Sequence, residues 1–199
     1  PPDHPLRLQS VPTESELLTL PHELADPLGE AAHSPLPRLV HRYADRALLL
    51  VTDQCALHCR HCFRSRFTGG GRGAITRADL REVAAYLSDH PEIGELILSG
   101  GDALLLPDSQ LRATLQTLRR ARPGLVYRVA TRAPVVLPSR ITPELVDLLR
   151  SYAPLWVVVQ VNHPDELDAA AREALAGLVD SGIPVVNQTV LLAGGNDNA

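Results

Sequence analysis

Short apolar runs alternate with amphipathic stretches from residue 47 onward. "ALLLVT" (47–52), "ELILS" (95–99), "LVYRVAT" (125–131), "LWVVVQV" (155–161) and "PVVNQTVLL" (184–192) each read as a strand. Helical patterns separate them. Thr76 and Asp79 have the spacing of a capping box, opening a helix that runs to about Ser88. A second helix is expected over Asp108 to Ala121. Thr142-Pro143 opens a third, proline being favoured in a first helical turn. A fourth is expected from Asp165 to about Asp180, stopped by Gly182. The strands are apolar at every position, which predicts a parallel sheet covered on both faces and joined by right-handed crossovers. Five such periods predict an α/β fold, a partial (β/α) barrel over 46–199. The fifth strand is followed only by the loop-like "AGGNDNA", so the chain is expected to stop within the domain.

Residues 1–45 break the rhythm. Closely spaced prolines ("PPDHPLRLQSVPTESELLTLPHELADPLGEAAHSPLPRL") suit an extended N-terminal arm with short helical turns at most, lying on another surface. A disordered linker is the other reading of the same composition.

At 199 residues the chain is long enough for one sizeable core, and its net charge of −4 is mild. No basic tract points to nucleic acid, and no apolar run is long enough to span a membrane. No signal-peptide pattern opens the sequence, which makes the cytoplasm the expected location. Two residue types are missing. Without Met, residue 1 is expected not to be a natural start. Without Lys (all 19 basic residues are Arg), no lysine Schiff base can come from this chain.

The three cysteines, Cys55, Cys59 and Cys62, stand in "DQCALHCRHCFRSRF" with C-x3-C-x2-C spacing. A disulfide would leave one over. Zinc would need His58 or His61 as a fourth ligand, crowding a whole site into one short stretch. An iron–sulfur cube needs only three thiolates and leaves its fourth iron open. The loop follows the first strand, at the carboxyl end where α/β active sites gather, and that placement favours iron–sulfur. "LILSGGDALLL" (96–106) adds a second strand end: Gly100 and Gly101 permit close backbone approach and Asp102 offers a carboxylate.

The cysteine spacing after a first strand resembles the signature of radical S-adenosylmethionine (SAM) enzymes. In that family SAM chelates the open iron and is cleaved to a 5′-deoxyadenosyl radical. The Ser99–Gly100–Gly101–Asp102 turn resembles the family's SAM-binding turn. Longer stretches narrow the resemblance. "HRYADRALLLVTDQCALHCRHCFRSRF", "TRAPVVLPSRITPEL", "VNHPDEL", "NQTVLLAGGND" and the arm's "DPLGEAAHSPLPRLVHRY" are similar to the lysine 2,3-aminomutase family, across essentially the whole chain.

That resemblance implies a radical 2,3-amino migration interconverting L-lysine and β-lysine, assisted by pyridoxal phosphate (PLP) and a [4Fe–4S] cluster. Relatives acting on lysine for elongation factor P, or on glutamate, are the alternatives. It implies cluster ligation by Cys55, Cys59 and Cys62, and a grip on the substrate carboxylate by Arg64. SAM contacts are implied for Arg132 and Gln188, and PLP-phosphate contacts for Arg42 and Arg46. The last two precede the first strand and so enter from the opposite barrel end. His163 fits the family's Asn-His-Pro turn; as bare sequence it reads as structural. An amino-acid substrate, an external electron donor and a homo-oligomer are also implied. Two positions depart from the pattern: Gln160 stands where a His is usual, and Ser65 where a basic residue is common. The PLP lysine and the acidic residues that select the substrate are implied to lie beyond residue 199, leaving the chain alone as a cluster- and SAM-binding module.

Overall fold

A computed structural model of the chain describes residues 3–18, 20–21 and 23–197. Residues 1, 2, 19 and 22 of the expected arm, and the last two of the expected terminal loop, lie outside the described residues. The elements, in chain order, are α1 (Pro5–Ser10), β1 (Leu39–Tyr43), β2 (Arg46–Thr52), α2 (Arg77–Asp89), β3 (Glu95–Gly100) and α3 (Asp108–Ala121). Then follow β4 (Val126–Thr131), α4 (Ala133–Val136), α5 (Pro143–Arg150), β5 (Leu155–Val159), α6 (Ala169–Asp180) and β6 (Val185–Asn187). The strands form one open sheet in sequence order. β1 runs antiparallel to β2, and each later pair is parallel. The parallel register carries apolar pairs across the sheet, such as Leu98 with Val129 and Val157 with Val185.

α2, α5 and α6 begin where side chains meet free backbone donors. Thr76 Oγ1 accepts from Asp79 N at 3.1 Å, and the Asp79 carboxylate accepts from Thr76 N at 3.2 Å. This box satisfies two otherwise unpartnered N–H groups of α2. Thr142 Oγ1 caps α5 at Leu145 N, with Pro143 in the first turn. The fourth predicted helix starts later than expected. Pro164–Glu166 forms a 3-10 turn instead, and Asp168 caps α6 by accepting from Ala171 N at 2.8 Å. Glu166 is drawn inward to other donors, which breaks the helical path at that point.

Two strands are shorter than the apolar pattern suggests. The Asn187 side chain accepts from Val161 N at 2.9 Å and donates to Val161 O at 3.1 Å. Side-chain bonds thus replace the ladder where β5 and β6 were expected to continue. Covering on both faces is also not observed. The parity containing Leu49, Leu96, Leu98, Val129 and Val157 is fully buried in a core shared with Leu80, Val83, Leu111, Leu115 and Leu118 of the helices. The opposite parity, including Leu48, Ile97, Ala130 and Val158, lines an open cavity. An apolar lumen face and a second helix-covered face look alike in sequence, because both exclude charge.

The arm is more integrated than expected. Residues 39–43 form the edge strand β1, with Leu39 opposite Leu49. Before it, α1 lies on the mouth of the sheet, where Arg60 N donates to Gln9 O at 2.9 Å and Arg60 Nη1 to Leu8 O at 2.8 Å. Among the described residues no helix is long and apolar enough to cross a membrane.

Candidate functional site

The cysteine loop is rooted where β2 and β3 end together. Gly101 N donates to Thr52 O at 2.6 Å and Asp102 N to Gln54 O at 2.8 Å. Gly100 has φ +120°, a left-handed conformation that glycine adopts at little cost. A Cβ on Gly100 would collide with Thr52 O, and one on Gly101 with Gln54 O. These glycines therefore make room for the root of the loop, a use that the sequence alone does not distinguish from approach to a ligand. Gly101→Ala is expected to destabilise the protein by about 2–4 kcal/mol, since backbone rather than a flexible side chain must move. Urea unfolding measures it; a change within about 0.5 kcal/mol would show the root to be pliable.

Asp102 ties that turn to the end of β4. Its carboxylate accepts from Leu104 N at 3.0 Å, Thr131 Oγ1 at 2.6 Å, Arg132 N at 2.8 Å and Ala133 N at 3.1 Å. Burial pushes the Asp102 carboxyl above its ordinary value, against the pull of these hydrogen bonds. Its acceptor capacity is thus used by the protein's own backbone and by Thr131.

Cys55, Cys59 and Cys62 are half-buried free thiols lining one cavity of about 1240 Å³ with Ser99 and the two glycines. Burial, with smaller contributions from Asp102 and the neighbouring cysteines, pushes the Cys55 thiol up to about 12. A bound metal would displace that proton. Among the described residues, no group of three or more His, Cys, Asp or Glu side chains is placed to hold a single metal ion. The would-be zinc ligand His61 turns its Nε2 to Gln160 at 3.3 Å and Asn162 at 3.4 Å, while His58 is exposed. Three thiols on one loop lining one cavity fit a polynuclear centre that takes one thiolate per iron.

Arg132 reaches this loop. Its Nη1 donates to Cys59 Sγ at 2.8 Å, and its Nη2 to Glu166 Oε2 at 2.5 Å and Gln9 Oε1 at 3.2 Å. Glu166 also accepts from Asn162 N and His163 N, each at 2.9 Å. Burial opposes ionisation of Glu166, but hydrogen bonds from Asn162, Gln9 and Arg132 outweigh it and hold the carboxyl below its usual range. His163 caps its own turn, its Nδ1 accepting from Asp165 N at 3.2 Å.

Arg64 is buried, with 6% of its surface exposed, and its guanidinium is already engaged. Nε and Nη2 grip both oxygens of Glu30 at 3.1 and 2.5 Å, and Nη1 donates to Ser99 Oγ at 3.1 Å. Beside it, Arg66 pairs with Asp26 at 2.9 Å, and Asp26 also accepts from Glu30 N and Ala31 N. Glu30 and Glu166 were not singled out in the sequence. The available signal was two acids four residues apart in "DPLGE" facing two arginines two apart in "RSR".

Arg42 and Arg46 line the same cavity as the cysteines, although they flank the turn before β2. Arg42 Nη1 donates to Leu28 O at 2.7 Å, and Arg46 pairs with Asp45 at 3.0 Å. Gln188 is exposed at the cavity rim, its backbone N donating to Val159 O at 2.8 Å. The structure thus brings the predicted positions to one cavity but gives Arg64, Arg132, Arg42 and Arg46 protein partners.

Residues 49–199 match the family model described as the Radical SAM superfamily. The chain is 45% identical to the L-lysine 2,3-aminomutase of Acetoanaerobium sticklandii, over 98% of this chain and 47% of that protein. It is 44% identical to the L-lysine 2,3-aminomutase of Bacillus subtilis, over 99% of this chain and 42% of that protein. A glutamate 2,3-aminomutase from Clostridioides difficile is 37% identical over 98% of this chain and 46% of its own length. The chain therefore spans about half the length of these relatives. Among solved structures, anSMEcpe with bound AdoMet shares the fold, with a TM-score of 0.53 at 12% identity, over 70% of this chain and 41% of that one. Matched through the cysteine loop, the glycine turn and all five parallel strands, the chain belongs to the radical SAM superfamily.

Proposed function

We propose that the protein carrying this chain is a radical SAM 2,3-aminomutase that interconverts L-lysine and β-lysine. The observation that carries this reading is that three thiols and a buried arginine, Arg64, share one cavity. The identity to two L-lysine 2,3-aminomutases, higher than to the glutamate enzyme, supports lysine as the substrate. On this reading Cys55, Cys59 and Cys62 would hold a [4Fe–4S] cluster beside bound SAM. When bound, the two supply a one-electron reductive cleavage that yields a carbon radical able to take hydrogen from an unactivated carbon.

The chain's own residues bind and orient. Glu30 takes Nε and one hydrogen of Nη2 of Arg64, and Ser99 takes one hydrogen of Nη1. Nη1 and Nη2 each keep one further N–H for a second carboxylate, that of the amino-acid substrate. The backbone of Ser99 to Asp102 and the Gln188 amide face SAM. Arg42 and Arg46 supply positive charge for the phosphate of PLP. The chain contains no Lys, so a covalent anchor for PLP comes from outside it. An external low-potential electron donor, a cytoplasmic location, a homo-oligomer, and no nucleic-acid or membrane partner complete the proposal.

Anaerobic turnover by the natural-length protein, with SAM, PLP and reductant, tests it. L-lysine is expected to give β-lysine by chromatography. Product from L-glutamate and none from lysine would overturn the substrate, and no product from either would overturn the aminomutase reading.

A further inference from the structure

We infer that Gln9, on the arm helix α1, acts with Glu166 to hold the Arg132 guanidinium on Cys59 Sγ, and that this relay sets the reduction potential of the cluster. The inference rests on the proposed cluster and is independent of the substrate. Gln9 is 3% exposed, and both ends of its amide are committed. Its Oε1 accepts from Arg132 Nη2 at 3.2 Å and Asn162 Nδ2 at 2.9 Å, while its Nε2 donates to Glu166 Oε1 at 3.1 Å. The amide therefore has one orientation that satisfies all three partners. Among the described residues Arg132 Nε is buried without a partner, and the guanidinium is aimed by its two terminal nitrogens. One of these is fixed by Gln9 and Glu166; the other meets the sulfur of Cys59 at 2.8 Å.

A cluster gains one negative charge when it accepts an electron from an external one-electron donor; no bond forms and no proton moves. A cationic N–H donor at a ligating sulfur favours the more negative, reduced state. Glu166 offsets the Arg132 charge at a distance, but the positive end of the pair points at the sulfur. Gln9 and Glu166 are positioning residues on this view, acting only through Arg132. The arm, which reads in sequence as an extended segment lying on another surface, thereby acquires a part in the electron-accepting step.

An EPR-monitored redox titration of the natural-length, anaerobically reconstituted protein, without SAM and at fixed pH, tests this. At the wild-type midpoint half of the clusters are reduced. Arg132→Gln is expected to lower the reduced-to-oxidised ratio at that potential about tenfold, a shift of about 59 mV for one electron. Gln9→Ala changes no charge and touches no sulfur, yet is expected to lower the ratio about threefold, with iron and sulfide content unchanged. In the Arg132→Gln background, Gln9→Ala is expected to add nothing. If Arg132→Gln takes up no cluster, Arg132→Lys closes the cycle, because an ammonium cannot hold Cys59 and Glu166 in the same fork geometry. An unmoved potential in Gln9→Ala, or shifts that add, would overturn the relay. A wild-type protein with no [4Fe–4S] signal would overturn the cluster assignment itself, a failure distinct from an intact signal at an unshifted potential.

Discussion

Replacing Cys59 by alanine is expected to reduce cluster content to near background and SAM cleavage by more than about a thousandfold, over ~4 kcal/mol of activation free energy. Three thiolates from one loop leave no redundancy: with Cys55 and Cys62 alone, two irons of a cube lack protein ligands. Of the nearby histidines, His61 is turned to Gln160 and Asn162, and His58 is exposed on the cavity wall beside Gly69. The Arg132 guanidinium, now on Cys59, would lose its sulfur acceptor and keep Glu166 and Gln9. The measurements are iron and sulfide per chain and 5′-deoxyadenosine released with reductant. Wild-type iron content in Cys59→Ala would remove this cysteine from the ligand set.

Arg64→Ala is expected to destabilise the protein by about 3–5 kcal/mol, because the buried Glu30 carboxylate loses its two-point grip and keeps a longer ion pair to Arg66, at 3.7 Å. The Glu30 side chain is 10% exposed, and Arg64 supplies two of its donors. For a domain of this size the loss corresponds to roughly 6–20 °C in thermal midpoint. Removing both charges in Glu30→Ala/Arg64→Ala is expected to be milder than the sum of the single changes, with a coupling of about 2–3 kcal/mol. The neighbouring Arg66–Asp26 pair, whose arginine is 36% exposed, contributes little by comparison. Urea unfolding of the four proteins decides the matter. Additive effects, or an Arg64→Ala loss below about 1 kcal/mol, would mean that Glu30 is hydrated or otherwise compensated.

Much of the framework was legible because local chemistry governs it. The capping residues Thr76 and Thr142, the helix from Asp108 to Ala121 and the strands β2, β3 and β4 need only periodicity and cap chemistry to be read. The cysteine loop and glycine turn were legible as motifs, each placed at a strand end. What was not legible is non-local. Whether Leu48 and Ile97 face helices or a lumen depends on where the helices pack, and apolar residues serve either environment. α6 starts at Ala169 rather than Asp165 because Glu166 closes a capping box on its own 3-10 turn, through Asn162 N and His163 N, and is held by the distant Gln9 and Arg132. Glu30 stands 34 positions from Arg64, in a segment whose prolines pointed only to an extended arm. Asp102 was visible as an acid in a turn; that its acceptors are used by Leu104, Thr131, Arg132 and Ala133 is a fact of packing.

The most direct measurement is anaerobic reconstitution of the natural-length protein with iron and sulfide, followed by metal analysis and EPR of the reduced sample before and after SAM. A radical SAM site formed by Cys55, Cys59 and Cys62 predicts about four irons and four sulfides per chain, and a reduced-cluster spectrum that changes when SAM occupies the open iron. Zinc in place of iron, or a reduced [4Fe–4S] spectrum indifferent to SAM, would contradict it.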